Sequence, residues 1–201
     1  LSFFLFPFWN PRLDNPNTPP KWISVYFMRW MTFRLMLGAG LIKIRGDSCW
    51  IDLTCMDYHY QTQPNPHPLS WFWHHLPWWF HRIEVLFNHF VELILPFGLL
   101  GPKNLRRGAG LVTALFQIFL IFSGNLSWLN WITLLMALTC LDDAFLSRFF
   151  TSNRYLNIPK IPISLASRWT LILFTVLGLA LSINPALNLF SREQRMNASF
   201  N

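Results

Sequence analysis

The chain has 201 residues and a net charge of +7; 53% of its residues are hydrophobic and only 12% are charged. Soluble domains carry about twice that charged share. The 11 Trp and 20 Phe point the same way, because aromatic rings gather at membrane interfaces. The composition therefore excludes an ordinary soluble domain and indicates one membrane domain. The basic residues are scattered at the ends of apolar segments, which argues against nucleic-acid binding.

Taken in order, the chain alternates between apolar segments and polar connections. We expect residues 1–22 to be a truncated helix end and a proline-rich loop, since the chain lacks a starting Met and Leu1–Trp9 is too short to cross a bilayer. Residues 190–201 are expected to be a truncated tail. Between them, residues 23–189 predict an all-α, polytopic transmembrane bundle. The predicted spans are 23–44, 82–100, 109–123, 126–141 and 169–189.

The stretch Gly46–Glu92 holds all 6 histidines and five of the nine acidic residues. Its first part, Gly46–Phe80, predicts an aromatic- and histidine-rich cap outside the bundle. Within it, Leu69–His81 predicts an amphipathic helix in the membrane interface, with a re-entrant loop as the alternative. The predicted cap residues are Asp47, Cys49, Trp50, Asp52, Cys55, Asp57, His59, His74, His75, Trp78 and Trp79.

Two predicted spans carry polar side chains on one helical face each. Ionisable groups inside a membrane normally face the bundle interior and find partners there. Helical spacing therefore predicts one intramembrane polar network, and we expect it to be a structural ion-pair network rather than a catalytic base, so no catalytic residue is assigned. Its predicted members are Arg29, Lys43, His81, Glu84, Asn88, His89 and Glu92.

Cysteine and histidine usage indicates neither a disulfide-rich scaffold nor a metal protein. Cys49 and Cys55 form a candidate disulfide, and Cys140 lies in an apolar run as a buried thiol. His81 and Glu84 are spaced like metal ligands, but the chain has no HExxH motif and no paired CxxC motifs. We therefore predict no metal site and no cofactor.

Charge predicts the orientation of the bundle. The loops around Lys103–Arg107 and Arg148–Arg168 are basic and fall on the same side by helix counting, which the positive-inside rule places in the cytoplasm. The cap then faces a lumen or the exterior. Asn197, in an Asn-Ala-Ser triplet on that same side, is a candidate glycosylation site.

Several blocks of this sequence closely resemble the lipase maturation factor family. The resemblance covers about Phe33–Asp143. The blocks that carry it are GAGLIKIRGD (Gly38–Asp47), CWIDLTCMDYHY (Cys49–Tyr60), HHLPWWFHR (His74–Arg82), NHFVEL (Asn88–Leu93) and SGNLSWLNW (Ser123–Trp131).

The resemblance implies a polytopic membrane protein, located in the endoplasmic reticulum in animals, that helps lipoprotein lipase and related dimeric lipases to fold and assemble. Family members are not themselves lipases. Membrane lipids and client proteins are the expected partners, and another organelle or a bacterial membrane is the alternative location. A more distant similarity to the membrane domain of vitamin K-dependent γ-carboxylase suggests testing Lys43, Glu84 and His81.

Two other functions remain open at this point. One is a structural accessory subunit of a larger membrane complex, since the chain lacks a catalytic signature. The other is a membrane enzyme that acts on a lipid or quinone-like molecule between the spans. We favour a non-catalytic maturation or assembly factor over both.

Overall fold

The computed structural model describes residues 22–124, 128–149 and 165–187. All regular structure in these ranges is helical and no strand occurs in them, which confirms the predicted all-α class. The chain divides into two compact units, Leu1–Asn157 and Ile158–Asn201. The predicted terminal segments, the Asn197 site and the prolines of the 150–164 connection lie outside the described residues.

Helix α1 (Trp22–Gly46) opens the described part of the first unit. Its buried residues, Ser24, Thr32, Met36 and Gly40, recur every four or eight positions and so lie along one face. Gly40 lets a second helical segment approach closely, because a Cβ at this position would lie 2.7 Å from Leu93 Cδ2. Burial of this face is what joins α1 to the rest of the bundle.

Three short helices form the cap: α2 (Ser48–Ile51), α3 (Cys55–Thr62) and α4 (Ser70–His74). The side chain of Asp47 accepts a hydrogen bond from Cys49 N and caps the start of α2. The single helix expected over residues 69–81 is divided in two: α4 ends at His74, and Pro77 precedes the next helix. Proline has no N–H and cannot continue the hydrogen bonding of α4, so the chain restarts there.

The second predicted span is one helical rod built from α5 (Trp78–His89), a π-helical turn (Phe90–Ile94) and α6 (Leu95–Leu99). In the π turn, Leu95 N–H donates to Phe90 O, five residues back. Pro96 explains this widening, because it cannot donate to the carbonyl four residues before it and its ring crowds that carbonyl.

Helices α7 (Lys103–Ser123) and α8 (Trp128–Leu138) pack along each other. The predicted loop around Lys103–Arg107 is helical instead, since Pro102 ends the preceding segment and α7 begins at Lys103. Of the described helices, α7 alone is long and apolar enough to cross a membrane by length and composition. The shorter apolar stretches are Trp128–Leu138 and Ile172–Asn184.

Small apolar clusters hold these helices together. Met36, Val91 and Phe116 join α1, the π turn and α7, and a second cluster of Leu99, Ala109 and Cys140 joins α6, α7 and the end of α8. The remaining helices are α9 (Asp143–Leu146) and, in the second unit, α10 (Leu165–Leu187). Helix α10 begins four residues before the predicted span.

One carboxylate ties the start of α7 to the segment after α8. Asp142 accepts from Arg107, from Lys103 Nζ at 3.3 Å and from Phe145 N at 3.0 Å. Burial alone would raise the pKa of Asp142, but these donors outweigh it and lower the pKa from 3.8 to about 2.

We expect Gly110→Ala to lower the free energy of unfolding by about 1–3 kcal/mol. The added Cβ would overlap Cys140 Cβ and lie 3.1 Å from the backbone oxygen of Ala137. Gly108→Ala is the matched control, because a Cβ there meets nothing within 4 Å. That variant should be neutral or more stable by up to about 1 kcal/mol. Thermal unfolding in detergent measures both, and equal effects would contradict the close α7–α8 contact.

We expect Asp142→Asn to reduce stability by about 1 kcal/mol at pH 7, since the charge-assisted bonds to Arg107 and Lys103 are lost while Asn still caps α9. Because the folded-state pKa lies below 3.8, the ionised carboxylate stabilises the fold above about pH 4, and this contribution disappears as the pH falls toward 2. Unfolding of both proteins across pH 2–8 should therefore converge at the acid end. A difference that is constant with pH would contradict this assignment.

Candidate functional site

An ion pair between a half-buried Lys43 and a buried Glu92 joins α1 to the rod formed by α5, the π turn and α6. Lys43 Nζ lies 2.7 Å from Glu92 Oε1 and 2.8 Å from Asn88 Oδ1, and Asn88 Nδ2 donates to Glu92 Oε2 at 3.1 Å. Glu92 is 3% exposed, so its charge would be costly to bury without Lys43. The two elements are thus held by a closed triangle of three side chains.

The cap covers this triangle from one side. The ammonium of Lys43 lies 4.8 Å from the centre of the Trp50 ring, which is a cation–π contact. The His89 ring nitrogen Nε2 lies 2.9 Å from Trp50 O. In sequence, Trp50 lies between Cys49 and Cys55, which form a disulfide with their Cα atoms 4.8 Å apart. The disulfide therefore closes the loop that places Trp50 over Lys43.

A second polar cluster lies nearer the start of α5. Tyr60 OH donates to Glu84 Oε1 at 2.7 Å, and His81 Nδ1 lies 2.9 Å from Glu84 Oε2. Burial and the adjacent Glu84 both raise the pKa of Tyr60, which keeps the hydroxyl protonated as a donor. Burial and the charge of Lys43 lower the pKa of His59, so this ring is held in its neutral form.

Tyr60 was not among the site residues predicted from sequence. Its partner Glu84 was predicted to share one polar network with Arg29 and Lys43, but the hydroxyl of Tyr60 and the ring of His81 occupy its two oxygens. The signal that could have found it is general: a tyrosine in an amphipathic segment usually brings its hydroxyl to a polar partner when its ring is buried. Tyr60 is 4% exposed.

Arg29 does not join either cluster. Its Nε and Nη2 atoms donate to Thr139 O at 2.9 and 2.6 Å, at the end of α8. Arg29 and Lys43 share a helical face, but they are separated by about four turns, or about 21 Å along the axis. The shared face was therefore not enough to bring the two cations to the same carboxylates.

A third set of polar groups, also missed from sequence, fastens the cap to the end of α7. Ser70 Oγ donates to Ser123 O at 2.7 Å and lies 3.2 Å from Gln63 Oε1, while Gln63 Nε2 lies 3.0 Å from His59 Nε2. Gln63, Ser70 and Ser123 are buried. These residues are small or neutral, so nothing in their spacing marked them as a contact.

The other predicted cap residues lie on the outer side. Asp47, Asp52, His75, Trp78 and Trp79 are exposed, whereas Asp57 and His74 are half-buried. Several large apolar side chains of the cap are exposed beside them. Those more than half exposed are Ile51, Tyr58, Trp71, Phe72, Trp78 and Trp79.

In the described residues, no group of three or more His, Cys, Asp or Glu side chains is placed to hold a metal ion. The ionisable groups of the two clusters are instead paired with each other. Lys43 with Glu92, and His81 with Glu84, form contacts that fix helices and occupy the polar atoms of these side chains. The arrangement is suited to holding a rigid cap on a helical bundle.

Lys43→Met should lower the free energy of unfolding by about 3 kcal/mol, because it leaves the buried Glu92 carboxylate without a cation. The double variant Lys43→Met, Glu92→Leu should recover much of this loss, since no unpaired charge remains. Lys103→Met is the control: its side chain is 56% exposed and its ion pair is worth at most about 1 kcal/mol. Chemical unfolding in detergent provides the measurement, and equal losses for Lys43→Met and Lys103→Met would contradict the prediction.

The sequence of the chain is similar to proteins of one named family. Residues 1–148 match the family model described as the lipase maturation factor transmembrane domain. Lipase maturation factor 1 of Bos taurus and of Homo sapiens are each 45% identical to the chain over an alignment of 217 positions, which covers 100% of the chain. Lipase maturation factor 2 of Rattus norvegicus is 38% identical over 131 residues, which cover 64% of the chain.

The chain spans only part of these relatives. It covers 39% of the Bos taurus protein, 38% of the Homo sapiens protein and 19% of the Rattus norvegicus protein. No solved structure matches the chain.

Proposed function

Because this chain belongs to the lipase maturation factor family, we propose that it is the non-catalytic membrane domain of a protein that aids the folding and assembly of secreted lipases. The observation that carries the proposal is the 45% identity to lipase maturation factor 1, which extends over 100% of the chain. Since the chain spans 39% of that relative, the activity and the clients belong to the full-length protein.

We propose that residues 23–189 form a polytopic bundle in the endoplasmic reticulum membrane, with residues 1–22 and 190–201 outside it. The length and apolar composition of α7 support this architecture. The two cations of α1 also support it, because each has a partner within the protein. Arg29 donates to Thr139 O and Lys43 binds Glu92, which reduces the cost of charge inside a bilayer. The basic start of α7 then faces the cytoplasm and the cap faces the lumen.

The cap is the part of this domain best suited to contact a client. Its outer side exposes Trp71 and Phe72, each 62% exposed, on helix α4. The disulfide Cys49–Cys55 and the bonds of Ser70 to Ser123 hold the cap in place, so these rings are presented without a large loss of conformational entropy on binding. Exposed apolar side chains on a rigid support bind incompletely folded proteins through non-directional burial of their apolar surface.

The test uses cells that lack the full-length protein and express a secreted lipase. Re-expression of the wild type should restore secreted lipase activity. The double variant Trp71→Ala, Phe72→Ala should restore about tenfold less, since truncation of central aromatic contacts commonly costs 2 kcal/mol or more in binding. The variant Phe149→Ala removes a ring that is 69% exposed and lies beyond α9, away from the cap, and should behave as wild type.

The outcomes separate the function from the docking surface. Lipase activity that is unchanged when the whole protein is absent would overturn the maturation function. Full rescue by the double variant at wild-type abundance would leave the maturation function standing and remove the cap from it. Recovery of the protein in a fixed ratio with other membrane subunits, with no effect on lipases, would instead identify a structural subunit.

A further inference from the structure

The end of the bundle opposite the cap carries more positive charge than the described residues neutralise. Four cations, Arg29, Lys103, Arg106 and Arg107, meet here where α1, the start of α7 and the end of α8 come together. The acidic residues in the same place are Asp142 and the exposed Asp143.

The carboxylate of Asp142 already accepts hydrogen bonds from other groups. Its carboxylate accepts from Arg107, from Lys103 and from the backbone N–H of Phe145. Arg29 is likewise engaged, because two of its nitrogens donate to Thr139 O. Three of the four cations therefore have protein partners.

Arg106 is the cation that remains. Its Nε atom is buried and has no hydrogen-bond partner in the described part of the chain. The nearby charge of Arg29 repels it. Arg106 is half-buried, and a buried guanidinium nitrogen without an acceptor is unfavourable because burial removes its hydration.

A phosphate is the anion that best matches the hydrogen-bond donors of Arg106. A guanidinium presents a planar pair of donors that matches two phosphate oxygens, and such charge-assisted bidentate bonds are among the strongest hydrogen bonds in proteins. Arg106 lies in the first turns of α7, and its backbone N–H donates to Pro102 O at 2.9 Å. In the proposed membrane bundle, on which this inference rests, the first turns of α7 lie at the depth of lipid headgroups because α7 is long and apolar enough to cross a membrane.

We propose that Arg106 binds the phosphate of an anionic membrane phospholipid. The adjacent Leu105, whose side chain is 54% exposed, provides apolar surface for the start of an acyl chain. The lipid supplies negative charge that the described residues do not provide at this junction, and so it stabilises the contact between α1, α7 and α8. Basic pockets between transmembrane helices are used in this way to hold anionic headgroups.

The first test is native mass spectrometry of the full-length protein, delipidated in mild detergent and titrated with phosphatidylglycerol or with phosphatidylcholine of the same acyl chains. Wild type should retain phosphatidylglycerol in preference. Arg106→Gln should weaken its retention about tenfold, and Arg106→Lys, which keeps the charge but loses the paired donors, should weaken it less. Arg82→Gln is the matched control, because Arg82 lies at the cap end against the Trp78 ring.

Further arms distinguish the source of the phosphate and allow for variants that do not fold. Excess inorganic phosphate should leave phosphatidylglycerol bound, and displacement of the lipid by it would overturn the lipid assignment in favour of a soluble anion. With the wild type alone, phosphatidylglycerol should raise the midpoint of thermal unfolding above that in phosphatidylcholine. Equal midpoints, or equal retention by wild type and Arg106→Gln, would overturn the proposal.

Discussion

The need to partner every buried charge is the constraint on which the rest of this structure depends. Lys43 and Glu92 meet at 2.7 Å where α1 crosses the rod of α5, the π turn and α6. In an apolar bundle an isolated carboxylate would be far too costly, so this contact sets which helices are neighbours and how far each is displaced along its axis. Gly40 allows the same crossing to be close, because it keeps space for Leu93.

The π turn of the rod contains Glu92, the acidic partner of Lys43. Pro96 removes one backbone donor, the helix widens between Phe90 and Ile94, and Asn88 and Glu92 both reach Lys43. Helix irregularities of this kind recur at functional positions.

The cap and the opposite end of the bundle solve the same problem in different ways. At the cap, Tyr60, His81 and Glu84 satisfy one another, and Gln63 and Ser70 bind the end of α7 at Ser123 O. At the far end, Asp142 binds two cations, while the buried Nε atom of Arg106 has no acceptor among the described residues. A rigid face with exposed aromatic rings and a basic face with an unsatisfied guanidinium nitrogen therefore lie at opposite ends of one domain. We propose that the first contacts a protein client and that the second binds a lipid headgroup.

The sequence by itself determined the helical class, the family and the residues that needed polar partners, because composition, periodicity and long motifs are local properties. It predicted a single helix over residues 69–81, which proved to be two because Pro77 lies between them. Only the tertiary structure decided the pairing. Lys43 bonds to Glu92 while Arg29, on the same face, bonds to Thr139 O, and Glu84 is bonded to Tyr60. Helical spacing defines the face on which a side chain lies, but the partner depends on which helix crosses at that height.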